Sequence, residues 1–241
     1  MSCPNRSRVA ITSVASIALV LASSGCGSTA GPQPIARASR PELLTTVARA
    51  RVARVRVFDA PGTSRPRLAL ANPDRWGAPL VFLVRNVDGP WLQVELPVRP
   101  NGSLGWIARG DVELSQHDFR IVVDLGRHTI TVSRGQTLVD REPVGIGTRD
   151  TPTPGGSYYT IALIQPPDPH GFYGPYVYTL SGFSNVLHQF AGSDGVIGIH
   201  GTNEPWGLGK NVSHGCIRMS NAGIAKLAHL LPVGVPVDIR P

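Results

Sequence analysis

Cysteine is scarce in this chain, with three residues among 241: Cys3, Cys26 and Cys216. The composition shows no collagen-like, coiled-coil or disordered signature, which excludes the fibrous and unstructured classes of protein. With 41% apolar residues and 22 prolines, the sequence instead fits a globular protein of one or two domains with enough chain for a core.

Residues 1–26 have the pattern of an export signal. Two arginines precede an apolar stretch at 9–22, which is too short to predict a membrane-spanning helix, and small residues follow it. The run Ser-Ser-Gly before Cys26 is typical of a lipidated cysteine, so we predict a lipid anchor at Cys26. The alternative is ordinary cleavage nearby, for example after Ala30. The predicted location is the outer face of the cytoplasmic membrane, or the cell wall after release.

The cysteine count then points to a reactive thiol. Cys3 leaves with the signal, and Cys26 is at most the site of the lipid. The exported part keeps only Cys216, which has no partner for a disulfide. A lone thiol outside the cytoplasm is more typical of chemistry than of structure.

Positive charge is concentrated near the start of the exported part. We interpret residues 27–51, rich in Gly, Pro, Ser and Ala at first, as a flexible tether. Between Arg37 and Arg67 there are eight arginines against Glu42 and Asp59. This favours a solvated basic face, or attraction to anionic wall polymers or lipid headgroups. The export signal and the lack of interleaved aromatic residues argue against a nucleic-acid partner.

The glycine-rich segment 197–219 places His200, His214 and Cys216 close together in sequence without helical periodicity. A cysteine attacks as its thiolate, so it needs a nearby base, and both histidines are candidates. Gly215 permits a turn that leaves backbone N–H groups facing a developing oxyanion. The residues alone leave two other interpretations open, a buried thiol and a zinc cluster, although a fourth zinc ligand is not evident.

The strings H-G-T-N and S-H-G-C-I-R-M in this segment resemble the signature of the L,D-transpeptidase catalytic domain, the YkuD-like family. The resemblance extends over about residues 119–239. It implies that Cys216 is the nucleophile and that His200 is the general base. It also implies that the backbone carbonyl of Gly201 orients His200.

The same resemblance assigns further residues around the cysteine. It places His214 and Gly215 in the oxyanion region. Many members carry Asn two residues after the cysteine, whereas this chain carries Arg218. We interpret Arg218 as a contact for a substrate carboxylate.

A long irregular segment, 165–190, is rich in Pro, Gly and aromatic residues. Long loops in compact domains are often lids or binding loops. We therefore predict that Tyr173, Tyr176 and His188 line a cleft over Cys216, with aromatic packing under the loop as the alternative. Trp206 is predicted to shape the same cleft or to pin its own loop.

The chain is predicted to be mainly β, in two domains. Residues 52–115 contain short strands separated by P-G, D-G-P and N-G turns, which predict a small barrel. The stretch F-L-V-R-N-V-D-G-P-W-L-Q-V-E-L-P resembles a bacterial Src homology 3-like barrel, either a spacer or a stem-binding module. Residues 118–241 form the predicted catalytic domain, with one helix at 221–231 capped by Ser220. The resemblance implies a β-sandwich.

The resemblance implies a peptidoglycan L,D-transpeptidase that forms 3-3 cross-links through a Cys216 thioester and releases D-alanine. No cofactor or metal is predicted, and the partners are a donor tetrapeptide stem and an amine acceptor. Carbapenem β-lactams are expected to acylate the thiol. An L,D-carboxypeptidase would use the same residues, and a non-catalytic wall-binding protein remains the alternative of a different class.

Overall fold

A computed structural model describes residues 44–189 and 192–241. The described chain is mainly β, with one α-helix. The predicted export signal, the lipid anchor at Cys26 and most of the predicted tether lie outside the described residues. Within the described ranges, no helix is long and apolar enough to cross a membrane.

The N-terminal part, 44–117, contains a five-stranded antiparallel sheet in the order β6-β5-β4-β1-β7 and a separate hairpin of β2 and β3. Alternate side chains of β5 are buried, which explains the apolar and polar alternation of its sequence. The Src homology 3-like identity of this part stays a prediction. The strands are β1 (Thr45–Ala50), β2 (Arg54–Val57), β3 (Leu68–Ala71), β4 (Val81–Asp88), β5 (Trp91–Glu95), β6 (Leu104–Ala108) and β7 (Val112–His117).

Strand β1 lies inside the range 27–51 that the sequence predicted as a flexible tether. It pairs with β4 on one side and with β7 on the other, so it is a central strand of the sheet. Val47, Ala48 and Ala50 are buried, while Arg49 points outward. The one arginine of the strand, Arg49, occupies its exposed position, and the tether prediction is wrong for these six residues.

The C-terminal part contains an eight-stranded sheet in the order β10-β9-β8-β17-β12-β13-β14-β16. The sheet curls around one hydrophobic core, to which strands near both of its edges contribute, so the part forms a curled β-sandwich. Its strands are β8 (Phe119–Asp124), β9 (Thr129–Arg134), β10 (Thr137–Pro143), β11 (Ile146–Gly147), β12 (Gly156–Ile164), β13 (Val177–Phe183), β14 (Val196–His200), β15 (Asn211–Ser213), β16 (Ile217–Arg218) and β17 (Pro236–Arg240).

Helix α1 (Asn221–Leu230) confirms the predicted helix to within one residue. Ser220 is its N-cap, as predicted, and the Ser220 hydroxyl accepts a hydrogen bond from the Gly223 N–H at 2.9 Å. At the other end, the buried hydroxyl of Tyr178 lies 3.1 Å from the carbonyl oxygen of Leu227 and 2.8 Å from that of Leu231. The helix is thus fixed directly after the cysteine segment.

The N-terminal and C-terminal parts share a hydrophobic cluster. Val47, Val81 and Leu83 come from the first part, and Tyr159 and Ile161 from β12 of the second. Tyr159 is fully buried, and its hydroxyl lies 3.2 Å from the Val81 carbonyl oxygen and 3.0 Å from that of Glu95. The two parts therefore meet through a packed core, and the described residues, 44–189 and 192–241, belong to one compact unit.

Candidate active site

Two neighbouring parallel strands bring the predicted catalytic residues together. His200 ends β14, and Cys216 immediately precedes β16, where Ile199 pairs with Ile217 and His200 with Arg218. His200 and Cys216 both line a cavity of about 270 Å³. Other residues of its wall are Trp76, Ile164, Tyr173, Thr179, Ser193 and Val196.

The imidazole of His200 is buried and held by its own neighbour in the chain. Its Nδ1 lies 2.6 Å from the carbonyl oxygen of Gly201, which is the contact that the resemblance implied. A carbonyl oxygen only accepts, so Nδ1 carries the proton and Nε2 keeps its lone pair. Nε2 is buried and has no hydrogen-bond partner among the described residues. It is therefore free to take a proton from a group in the cavity.

Burial keeps this imidazole neutral. It lowers the pKa of His200 to about 4, and the charge of Arg218 acts in the same direction. The hydrogen bond to Gly201 acts in the opposite direction but does not compensate. At neutral pH, His200 is consequently a neutral base.

Asn221 fixes the position of Gly201, and sequence reasoning missed it. The Asn221 side-chain oxygen accepts a hydrogen bond from the Thr202 N–H at 2.8 Å. A Cβ at Gly201 would lie 2.3 Å from that oxygen, so only glycine fits. A Cβ at Gly174, which has φ +63°, would lie 2.4 Å from the same oxygen. In the sequence, the only indication of this contact was that a polar residue, Asn221, stands at the first position of the helix.

Ser213 organises the cysteine turn. The buried Ser213 hydroxyl accepts a hydrogen bond from the Gly215 N–H at 3.1 Å and donates one to the Cys216 carbonyl at 2.6 Å. Gly215 has φ +118°, a conformation that favours glycine. The turn predicted at Gly215 is present, but its N–H is already bonded to Ser213. The expectation that this N–H faces an oxyanion is therefore not met.

The threonine-rich turn after β11 supports the Ser213 strand. The Thr148 N–H donates to the Ser213 carbonyl at 3.0 Å, and the Thr151 hydroxyl donates to the same oxygen at 3.3 Å. Gly147 lies against this turn, where a Cβ would be 2.3 Å from the Thr151 carbonyl oxygen. The turn thus supports the cysteine segment through hydrogen bonds to Ser213, and its residues do not line the cavity.

Cys216 is partly buried, and burial raises the pKa of its thiol. A hydrogen bond with the Gly198 backbone and the positive charge of Arg218 favour the thiolate, but they do not outweigh burial. The raised pKa of Cys216 and the lowered pKa of His200 describe a neutral pair at rest. A resting ion pair, the condition for a bell-shaped pH dependence from these two groups, is not favoured.

Arg218 is placed differently from the expectation. Its side chain is 3% exposed and forms an ion pair with Glu204, whose side chain is 40% exposed. The guanidinium also lies 4.6 Å from the ring centroid of Phe172. Arg218 is not among the residues that line the cavity. Its carboxylate partner among the described residues is Glu204, and a contact with a substrate carboxylate stays a prediction.

Of the aromatic residues predicted to line the cleft, Tyr173 does so. Its ring lies 5.0 Å from the His200 ring at an angle of 73°, and burial together with nearby Cys216 raises its pKa. Phe172, which the sequence did not single out, lies 5.8 Å from the same imidazole. These two rings cover one side of His200 and help to exclude water.

The other predicted cleft residues lie elsewhere. Tyr176 packs on the core beside His229, at 6.0 Å between ring centroids, as the packing alternative predicted. His188 is exposed and does not line the cavity, and the same holds for His214, which the resemblance placed in the oxyanion region. Trp206 is 62% exposed and packs under the ammonium of Lys210 instead of over Cys216. None of these residues lines the cavity, because the backbone of each segment directs the side chain away from Cys216.

Within residues 44–189 and 192–241, no group of three His, Cys, Asp or Glu side chains is arranged to hold a metal ion.

The fold and the site together define a curled β-sandwich domain that carries a cysteine and a neutral histidine in one cavity. Residues 118–239 match the family model of YkuD, the L,D-transpeptidase catalytic domain. The match covers half of the chain, and the chain belongs to this family.

Two relatives are YkuD proteins that are assigned to the L,D-transpeptidases. The one from Bacillus licheniformis is 37% identical over 123 residues, and the one from Bacillus subtilis is 36% identical over 122 residues. Each alignment covers 51% of this chain and 66% of the relative, which is just under two thirds of its length. An L,D-transpeptidase structure from Mycobacterium smegmatis is 19% identical, covers 67% of this chain and 90% of that one, and has a TM-score of 0.42.

Proposed function

We propose that this protein is a peptidoglycan L,D-transpeptidase in which Cys216 is the nucleophile and His200 the general base. The observation that carries the proposal is the neutral His200 imidazole, whose unpartnered Nε2 shares a cavity with the Cys216 thiol. Membership in the L,D-transpeptidase family supports peptidoglycan as the substrate class, and the donor that we propose is a tetrapeptide stem.

In the first step, His200 Nε2 removes the proton from the thiol as Sγ bonds to the carbonyl carbon of the third stem residue. The proton moves together with the attack, because the pKa directions disfavour a resting thiolate. The tetrahedral intermediate collapses, the C–N bond to D-alanine breaks, and His200 gives the proton to the departing amine. A thioester on Cys216 remains.

In the second step, the side-chain amine of a neighbouring stem attacks the thioester carbon. His200 takes the proton from that amine and returns it to Sγ as the C–S bond breaks, so the thiol is regenerated. The product is a 3-3 cross-link. Since the Gly215 N–H is bonded to Ser213, the Cys216 N–H is the backbone donor that we assign to the oxyanion.

The environment favours transfer to an amine over hydrolysis. The buried imidazole and the rings of Phe172 and Tyr173 restrict water near the thioester. His214 is adjacent in sequence but exposed, so we assign it no proton-transfer step. Arg218 acts at a distance, because its charge stabilises the thiolate and opposes protonation of His200.

The test is intact mass spectrometry of the detergent-solubilised full chain, incubated separately with a disaccharide tetrapeptide and with a carbapenem. We expect one covalent adduct on the wild type in each case, with D-alanine and a stem dimer released from the tetrapeptide, and none on Cys216→Ala. Adduct and D-alanine without dimer, even with an added amine acceptor, would identify an L,D-carboxypeptidase. No adduct would refute both enzymes and direct attention to wall binding.

We further propose that the protein is exported and anchored through a lipid on Cys26. The pattern of residues 1–26 supports the export, and the small residues before Cys26 support the lipidation. Labelled fatty acid should be incorporated by the wild type and not by Cys26→Ser. Equal labelling of both would refute the anchor.

A further inference from the structure

Arg99, in the N-terminal part, holds a loop of the C-terminal part. The loop connects β13 to β14, and we call its described residues, 184–189 and 192–195, the β13–β14 loop. The Arg99 guanidinium donates to three of its carbonyl oxygens, those of Ser184 at 2.9 Å, Leu187 at 3.2 Å and Asp194 at 3.0 Å. It also lies 4.9 Å from the ring centroid of Phe183. One side chain thus bonds to both ends of the loop.

Two more contacts join the same segments. The Asn101 amide donates to the Phe183 carbonyl at 2.9 Å and accepts from the Phe183 N–H at 2.9 Å, so it mimics a strand partner. Arg75 forms an ion pair with Asp194 at 2.7 Å. Both members of that pair are exposed, which makes it the weaker contact. Arg99 and Asn101 are the principal connections.

The loop held in this way forms a wall of the cavity that contains Cys216. Ser193 from the loop and Val196 directly after it line that cavity, and Trp76 from the N-terminal part lines it as well. A larger cavity of about 510 Å³ adjoins it, with Trp76 and Val196 common to both. Arg75, Arg99 and Asp194 are on the wall of this larger cavity. The approach to the thiol is therefore built by both parts of the chain.

We infer that Arg99 and Asn101 are positioning residues that fix the β13–β14 loop as a wall of the active-site cavity. Through this contact the N-terminal part controls the size of the molecules that reach Cys216. The identity of the substrate in this inference rests on the proposed function, whereas the contact and its effect on access to the thiol do not.

Gly195 offers a second way to disturb the same contact from the opposite side. It has φ +73°, and a Cβ there would lie 2.0 Å from the Leu187 carbonyl oxygen and 3.2 Å from an Arg99 guanidinium nitrogen. Gly195→Ala therefore displaces the loop and leaves the Arg99 side chain intact. Arg85→Ala is the matched control, because Arg85 pairs with Glu95 on the same N-terminal sheet and has no contact with the loop.

The experiment compares two thiol reagents at Cys216 in the full chain: N-ethylmaleimide, and a maleimide that carries a fluorescein group. Peptide mass spectrometry separates modification of Cys216 from that of the other cysteines. We expect the ratio of bulky to small reagent rates to rise at least fivefold in Arg99→Ala and in Gly195→Ala, and to stay unchanged in Arg85→Ala. The double variant should show no larger ratio than the singles, since both changes release one loop.

A global loss of stability would also raise the ratio, because the unfolded chain admits both reagents, so only variants that stay folded at the assay temperature count. For the tetrapeptide, loss of the wall should raise KM with little change in kcat. If Arg99→Ala does not fold, Arg99→Lys and Gly195→Ala carry the test. A ratio within twofold of the wild type in the folded variants overturns the inference. A wild type that releases no D-alanine counts against the proposed function alone, because the maleimide ratio still measures the contact.

Discussion

The Asn221 side-chain oxygen accepts the Thr202 N–H at 2.8 Å, and this contact fixes the backbone whose carbonyl holds the His200 imidazole. The orientation of the base is thus set from the first residue of a helix that lies 21 positions beyond it in the chain.

Gly201→Ala tests this arrangement. The new Cβ would lie 2.3 Å from the Asn221 oxygen and would displace the Gly201 carbonyl. A displacement of about 1 Å at a catalytic group can cost about 100-fold in rate, so we expect kcat for D-alanine release to fall to that extent. Gly110→Ala is the control, because a Cβ at Gly110 meets no atom within 4 Å. Equal activity of the two variants would contradict the role of Gly201.

Ser213→Ala removes the bond that shapes the cysteine turn. The buried Gly215 N–H loses its acceptor, which costs about 1–3 kcal/mol of the free energy of unfolding. The Cys216 carbonyl also loses its donor, so we expect a further loss of acylation rate. Ser220→Ala should cost a similar ~0.5–2 kcal/mol through the lost helix cap, without this loss of rate. Urea unfolding and stopped-flow acylation by a carbapenem measure the two quantities.

The buried histidine predicts a pH-dependent stability. Because folding lowers the pKa of His200 from 6.5 to about 4, the unfolded chain binds this proton more readily. The free energy of unfolding should fall as pH decreases from 6.5 towards 4, by roughly 3 kcal/mol from this residue. His200→Gln should remove that part of the slope. His117→Gln should remove a separate part, since burial also lowers the pKa of His117. An unchanged slope in His200→Gln would refute the assignment.

The neutral resting pair predicts how the thiol reacts with iodoacetamide. With the pKa of Cys216 raised, the alkylation rate should climb with pH through the thiol titration and show no thiolate plateau at acidic pH. Arg218→Met removes a charge that favours the thiolate, so the rate at pH 7 should fall severalfold. Arg218→Lys keeps the charge and should retain most of the rate. A plateau extending below pH 6 in the wild type would instead indicate an ion pair.

Tyr159→Phe tests the cluster between the two parts of the chain. The variant keeps the ring and loses the hydroxyl that lies near the carbonyl oxygens of Val81 and Glu95. We expect a loss of about 1–2 kcal/mol in thermal or urea unfolding, with a single transition. Tyr158→Phe, whose hydroxyl donates to the nearby Gly155 carbonyl within its own strand region, should cost less.

Features that depend on neighbouring residues were predictable from the sequence. The helix after Cys216 was predicted from the Ser220 cap and the spacing of its apolar residues. The contact of the Gly201 carbonyl with the adjacent His200 was predicted from the family resemblance. The ion pair between Arg218 and Glu204 was not predictable, because the sequence does not indicate whether a charged side chain is buried or exposed. Trp76 reaches the cavity only because the N-terminal sheet packs beside β12.

Strand β1 also could not be predicted from its own residues, because its structure depends on pairing with distant strands. Its two threonines and its one arginine suit a solvated segment as well as a strand, and only its pairing with β4 and β7 decides between them. The aromatic segment 165–190 was ambiguous in a similar way. Tyr173 and Tyr176 are three residues apart, yet one lines the cavity and the other packs on the core.

The hydrophobic cluster around Tyr159 shows that the unit that packs together is larger than the part that matches the family. The family match begins at residue 118, but the described residues from 44 onward pack as one unit. A fragment cut at the family boundary would turn the fully buried Tyr159 and the nearly buried Ile161 towards solvent. Such a fragment would expose an apolar patch that promotes aggregation. Recombinant expression of the catalytic half should therefore retain the upstream strands.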